Sequence, residues 1–227
     1  MKKLVYLVGA LAFLVTFSVS AFQKEKRDVG SFNGVSIGVG GTVYIKIGNT
    51  TSVELEGDEL DKIETEVEGK TLKIRREKSW GSWNSDDLTI YITTPELNAI
   101  KLSGSSKVIV ESLVKAENMD ISISGSGKIE SKLNVESLDI SISGSGKIEL
   151  SGNANETEIS ISGSGKVEAE ELATEIVKTR ISGSGSIYIT VNKEIDAKVS
   201  GSGDIYYKGN PGTVNIHSSG SGRIKKI

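Results

Sequence analysis

The sequence predicts an all-β protein: a single-stranded, right-handed parallel β-helix, a solenoid with turns of about nineteen residues. Three observations predict it. Ser-Gly-Ser-Gly begins at Ser124, Ser143, Ser162, Ser182, Ser200 and Ser219, after a variant, Ser103-Gly104-Ser105-Ser106. Start-to-start steps are 21, 19, 19, 20, 18 and 19 residues, and a period near twenty marks a stacked architecture. Around each copy, apolar and polar residues alternate as in a strand with one dry and one wet face.

In chain order, Met1-Lys2-Lys3 is a basic start and Leu4 to Val19 an apolar run. Val19-Ser20-Ala21 then supplies small residues for cleavage, so residues 1–21 read as a secretory signal peptide. The run is short for a membrane span, which needs about 20 residues. Without Lys2 and Lys3 the formal charge goes from −3 to −5. That acidity argues against nucleic acid, which needs a basic footprint. The chain holds no cysteine, so disulfides, thiolate metal sites and a lipid-modified cysteine are excluded.

Residues 22–227 read as one domain, since no linker or composition shift divides them. In its degenerate part, 22–98, Val35, Ile37, Val39, Gly41, Val43, Ile45 and Ile47 alternate with polar residues. Gly48-Asn49-Thr50 turns the chain, and further strands follow from Val53, Ile63, Leu72 and Leu88. The strands from Val35, Val53, Leu72 and Leu88 lie 18, 19 and 16 residues apart. That spacing predicts degenerate turns of the same stack; the alternative is a small antiparallel cap over the first turn.

Arg75 to Asp87 interrupts the pattern and contains both tryptophans, Trp80 and Trp83. Either they pack back over a sheet face, or they form an exposed pair that stacks on a sugar or a partner protein. Pro95 and Pro211, the two prolines, fall at loops.

The repeats fill 99–227. Leu138, Ile140, Ile142, Gly144, Gly146, Ile148 and Leu150 share one parity, and Asp139, Ser141, Ser143, Ser145, Lys147 and Glu149 the other. One such unit cannot bury its dry face alone, but units stacked in register can. The Gly-x-Gly step marks a corner or a close backbone approach. The right hand follows by analogy with parallel crossovers. Arg223, Lys225 and Lys226 make the last edge basic.

Chemistry is sparse. Gly-Ser-Gly-Lys lacks the G-x-x-x-x-G-K-[ST] spacing, and a strand follows where a phosphate loop needs a helix. The sole histidine, His217, stands where other turns carry Ser141 and Ser160, so it reads as a solvent-facing residue. The serines lack a positioned base. Glu130, Glu149 and Glu168 alternate with Lys128, Lys147 and Lys166, which reads as charge compensation on a wet face. Asp58, Glu59 and Asp61 match no calcium-loop spacing. No cofactor, metal or catalytic set is indicated.

What remains is geometry. Stacking places Ser124, Ser143, Ser162 and Ser182 in one column and Ser126, Ser145, Ser164 and Ser184 in a second, at about 4.8 Å per rung. These columns are the candidate ligand face; the bland reading is that serine is small, soluble and turn-compatible.

The layout resembles the auto-transporter adhesin head GIN domain family. The residues behind this are Phe32-Asn33-Gly34-Val35, Val53-Glu54-Leu55-Glu56-Gly57-Asp58, Leu72-Lys73-Ile74, Ile92-Thr93-Thr94-Pro95-Glu96-Leu97, and Leu102-Ser103-Gly104 with its successors. The resemblance implies an exported bacterial β-helical protein and supplies no catalytic residues. The expected function is a non-enzymatic binding module of the cell envelope, periplasmic or extracellular, meeting a glycan or a cell-surface protein. The alternatives are an assembly module joining copies through solenoid faces or ends into a homo-oligomer, and a carbohydrate-active β-helix enzyme.

Overall fold

A computed structural model describes residues 23–77 and 88–227. Residues 1–21, expected to be a signal peptide, and the stretch with Trp80 and Trp83 lie outside the described residues. The strands are β1 (Gln23–Arg27), β2 (Gly34–Gly38), β3 (Thr42–Ile47), β4 (Ser52–Gly57), β5 (Ile63–Glu68), β6 (Thr71–Arg76), β7 (Thr89–Thr94) and β8 (Ala99–Gly104). The repeats supply β9 (Lys107–Gly125), β10 (Lys128–Gly144), β11 (Lys147–Gly163), β12 (Lys166–Gly183) and β13 (Ser186–Gly201). The last turns are β14 (Asp204–Lys208), β15 (Thr213–Gly220) and β16 (Arg223–Lys226). A 3-10 turn, Leu60–Lys62, is the one helical element among the described residues.

Each repeat strand pairs in parallel with the next, residue on equivalent residue: Ile129 on Ile148, Ile140 on Ile159, Ser143 on Ser162, Gly144 on Gly163. The predicted parity holds through the repeats up to the last rung, where β15 is exposed on both faces. Ile123, Ile142, Ile161 and Val199 are buried in the bore, while Ser124, Ser143, Ser162 and Ser200 are exposed. Each turn has two main walls. The first segment of each strand, such as Lys128–Glu130, forms a charged wall, and the last, such as Ser137–Gly144, forms a serine wall.

Unequal repeat lengths are absorbed between the walls. Pairing slips between Glu130 and Lys132 in β10, between Glu149 and Ser151 in β11, and between Ala169 and Ala173 in β12. β10 and β11, one 19-residue step apart, pair without a slip. The Ser-Gly-Ser-Gly corner therefore stays in register whatever the repeat length. Main-chain bonds carry the ladder around it, with Ser145 N donating to Gly125 O and Lys147 N to Gly127 O, each at 2.9 Å.

The N-terminal part combines both expectations and corrects one of them. β2 and β3 form a parallel rung against β8 and β9, and β6 and β7 form another. That second rung stacks outside β2 and β3, on the side away from the repeats, so stack order departs from chain order. The strand from Val53, β4, is not a turn of the stack: it runs antiparallel to β7, and β1 runs antiparallel to β4. On the other wall, β5 closes the edge as an antiparallel partner of β6. Both edge strands, QKEKR and IETEVE, are charged on the solvent side, which blunts edge-to-edge association.

In the variant first repeat, Ser106 replaces the second glycine. It is fully buried, and its Oγ donates to Val39 O of the rung below. Thr94, just before Pro95, ends β7 with its single hydroxyl proton shared between Phe32 O at 2.8 Å and Glu96 O at 3.0 Å.

Candidate ligand-binding face

On the serine wall the alternation turns every second side chain outward, and the register stacks like on like. Ser103, Ser124, Ser143, Ser162, Ser182, Ser200 and Ser219 form one continuous column. Two residues earlier in each strand, a parallel column reads Ser36, Lys101, Ser122, Ser141, Ser160, Arg180, Lys198 and His217.

These two columns line an open groove of about 530 Å³ that runs from Ser36 to Ser182. Its middle is three rungs of paired hydroxyls, Ser122/Ser124, Ser141/Ser143 and Ser160/Ser162, and its ends carry Lys101 and Arg180. Four rungs separate those cations, about 19 Å at the rung spacing. A row of acids, Asp120, Asp139 and Glu158, runs along one flank. Lys101 Nζ lies 3.8 Å from Asp120.

Of the predicted face residues, Ser124, Ser143, Ser162 and Ser182 line this groove. Ser126, Ser145, Ser164 and Ser184 are exposed but lie beyond the glycine corner, outside it. Sequence reasoning missed Ser122, Ser141 and Ser160 as groove residues, and Lys101 and Arg180 as its ends. Their shared parity with Ser124 was the available signal. His217 occupies the outward position expected of it, opposite Lys198.

The charged wall has a different chemistry. Lys107, Lys128, Lys147 and Lys166 zigzag with Glu130, Glu149 and Glu168 at 2.5–2.9 Å, each glutamate held by two lysines. Hydrogen bonds from Lys128 and Lys147 hold the Glu149 carboxyl below the usual carboxylate range, and Glu130 and Glu168 are lowered in the same way. The glutamates in turn raise Lys128 and Lys147.

A stacked tyrosine pair stands at each end of this ladder. Tyr44 and Tyr91 lie 5.6 Å apart, and Tyr188 and Tyr206 4.9 Å. Lys24 covers the outer Tyr91 ring, and Lys166 sits 5.0 Å from the Tyr188 centroid. Their ring faces are therefore turned to neighbours along the stack.

A second groove, about 470 Å³, follows this wall past Glu130, Glu149, Glu168, Glu170 and Glu171. A glycosidase needs one carboxyl with a raised pKa to act as acid. All three stacked glutamates move the other way. The wall reads as saturated charge, as the sequence suggested, and the serine groove is the open face.

A parallel β-solenoid with one charge-saturated wall and one hydroxyl-lined groove is the class that this fold and face define. The chain belongs to the family described as "Putative auto-transporter adhesin, head GIN domain", which it matches over residues 31–211. No curated protein matches it.

Among solved structures it is similar to a "putative adhesin" from Bacteroides fragilis, at 29% identity and TM-score 0.88, covering 92% of this chain and 98% of that one. It is also similar to a "Putative lipid binding protein" from Parabacteroides distasonis, at 25% identity and TM-score 0.74, with 92% and 98% covered. A "putative adhesin" from Parabacteroides merdae, 21% identical with TM-score 0.71 and 92% and 97% covered, shares the fold. Among the described residues no helix is long and apolar enough to cross a membrane.

Proposed function

We propose that this is an exported, non-enzymatic protein of the cell envelope that adheres to other surfaces through its serine wall. The observation that carries the reading is the groove itself. It crosses successive rungs, is lined by serines with Leu102, Ile123, Ile142 and Ile161 between them, and is not closed by the ion pairs that saturate the opposite wall. The signal-peptide pattern supports export, and the adhesin names of the family and of the Bacteroides fragilis structure support binding. Glycans and cell-surface proteins are the ligand classes that a hydroxyl plate of this length fits.

Whole-cell binding tests it. Purified residues 22–227 are expected to bind cells or an arrayed glycan. Ser141→Tyr with Ser143→Tyr, which fills the groove, is expected to abolish binding, while Ser145→Tyr beyond the corner leaves it intact. Equal binding by all three proteins, or unchanged adhesion in a deletion strain, contradicts the reading.

A second reading, assembly through the solenoid end, is favoured by one observation. Val214 and Ile216 continue the buried columns of Ile195 and Ala197, yet are 43% and 46% exposed at the last rung. Light scattering across a concentration series tests it; a strict monomer removes it.

A further inference from the structure

One outward column on the serine wall stacks cations with no acidic column on its groove side. On the charged wall every lysine is interleaved with a glutamate. On the serine wall, Ser160 is followed by Arg180, Lys198 and His217 on successive rungs, directly opposite one another in register. Arg180 and Lys198 therefore face each other about 5 Å apart, and like charges so placed destabilise a sheet.

Acids touch this column from one side only. Asp196 pairs with Lys198 at 3.3 Å, and Glu158 and Asp196 stand opposite Lys178 in the neighbouring column. Among the described residues no ion pair engages Arg180. Its other flank is the serine column at Ser182 and Ser200, where the groove ends. Stacking needs no cation at Arg180, since Ser122, Ser141 and Ser160 fill the same position on other rungs. A charge placed against its neighbours at the mouth of a hydroxyl groove is explained by a ligand that brings the missing anion.

We propose that the groove binds a linear acidic polysaccharide, one anionic group lying between Arg180 and Lys198 and a second taking the place of Asp120 at Lys101. This rests on the reading of the serine wall as the binding face and names its ligand class. A guanidinium fork suits a carboxylate or sulfate, which accepts two parallel N–H bonds. Ser182 and Ser200 add hydroxyl donors at the same spot. The three uncharged rungs between Arg180 and Lys101 match sugar units that offer hydroxyls rather than charge.

Nucleic acid fits poorly. It needs a continuous basic track and aromatic rings for its bases, and the groove lining has serine in place of the first and none of the second.

The test compares the purified protein with Arg180→Ser/Lys198→Ser, which restores the residue type of Ser141 and Ser160. The variant is expected to fold as well as the parent and to melt at the same temperature or higher, because like charges are removed. The probes are immobilised dextran sulfate, polygalacturonate, unmodified dextran and poly-glutamate.

Dextran sulfate and polygalacturonate are expected to bind the parent at least tenfold more tightly than dextran or poly-glutamate. The variant is expected to lose at least tenfold on both acidic glycans, and raised salt to weaken the parent toward the variant. Dextran binding as tightly as dextran sulfate overturns the assignment of charge, and equal binding of poly-glutamate overturns that of a glycan. An unaffected variant, or failure of both acidic glycans to bind, overturns the proposal. Loss of whole-cell binding on filling the groove at Ser141 and Ser143 stands or falls separately, so the broader adhesion reading is judged on its own.

Discussion

Gly144 and Gly146 stand two residues apart in one repeat for unlike reasons. Gly144 has φ +123°, and a Cβ there would meet Gly125 O at 2.6 Å. Gly146 has ordinary backbone, but its Cβ would meet Ile123 Cγ2 at 2.6 Å. Gly144→Ala is expected to cost on the order of 3 kcal/mol, and no side-chain change elsewhere rescues a clash with a carbonyl. Gly146→Ala is expected to cost about 1–3 kcal/mol as overpacking, with part recovered by Ile123→Leu, which removes the obstructing methyl. A double-mutant cycle in denaturant checks this; equal rescue at both glycines contradicts it.

Thr157 is buried in a column between Leu138 and Val177, and its hydroxyl has no hydrogen-bond partner. Thr157→Val is expected to stabilise by about 1 kcal/mol, read as a higher unfolding midpoint. The parity itself is tested by Ile142→Asp, which buries an unpaired charge and is expected to unfold the central turns, against Ser143→Asp on the wet side, which is expected to be nearly silent. Parity was legible in the sequence because a period of two needs only neighbours in the chain. The separate duties of the two glycines were not, because each depends on the rung below.

At the scale of strands and walls, the lysine–glutamate ladder makes the charged wall sensitive to acid. The glutamates are lowered in the fold, so their contribution is complete above the usual carboxylate range, near pH 4.3, and is lost as pH falls through the depressed values. Lys128 and Lys147 are raised, so their contribution is present at neutral pH and is lost only as pH rises past the lysine range, near 10.4. Each pair is half-exposed and worth roughly 0.2–1 kcal/mol. Replacing Glu130, Glu149 and Glu168 by Gln is expected to lower the denaturant midpoint modestly at pH 7 and to make no difference near pH 2. Parallel curves for the two proteins contradict the ladder.

The compensation was legible because Lys-x-Glu recurs at the repeat spacing. The tyrosine pairs were not, since Tyr44 and Tyr91 come from β3 and β7, strands adjacent only in the folded stack. The N-terminal order was half legible. Each strand is marked by its own alternation, but the placing of β6 and β7 outside β2 and β3 is set by which buried face remained uncovered: Val35 and Ile37 lie between Leu72 and Ile74 on one side and Ile100 and Leu102 on the other.

As a whole, the molecule is a coil with two unlike walls and two unlike ends. The first end is sealed by antiparallel strands with charged edges. The last rung leaves Val214 and Ile216 partly uncovered beside the basic β16, where Arg223 grips Asp204 at 2.9 Å. Hydroxyls and end cations gather on one wall because one residue of each turn always lands beside the same residue of the next. The Arg180–Lys198–His217 column was legible as an alignment, each residue lying two before a Ser-Gly-Ser-Gly copy, but the groove whose end it forms was not, because that depends on which wall stays open.

That alignment builds the groove, and the absence of cysteine makes it directly measurable. Spin labels on Ser124→Cys, Ser143→Cys and Ser162→Cys in a single protein would sit on successive rungs at about 4.8 Å backbone spacing. A collapsed, exchange-narrowed electron paramagnetic resonance line is expected. A resolved three-line spectrum without spin–spin broadening would contradict it, since the serines would then not share a column and the groove would have no floor.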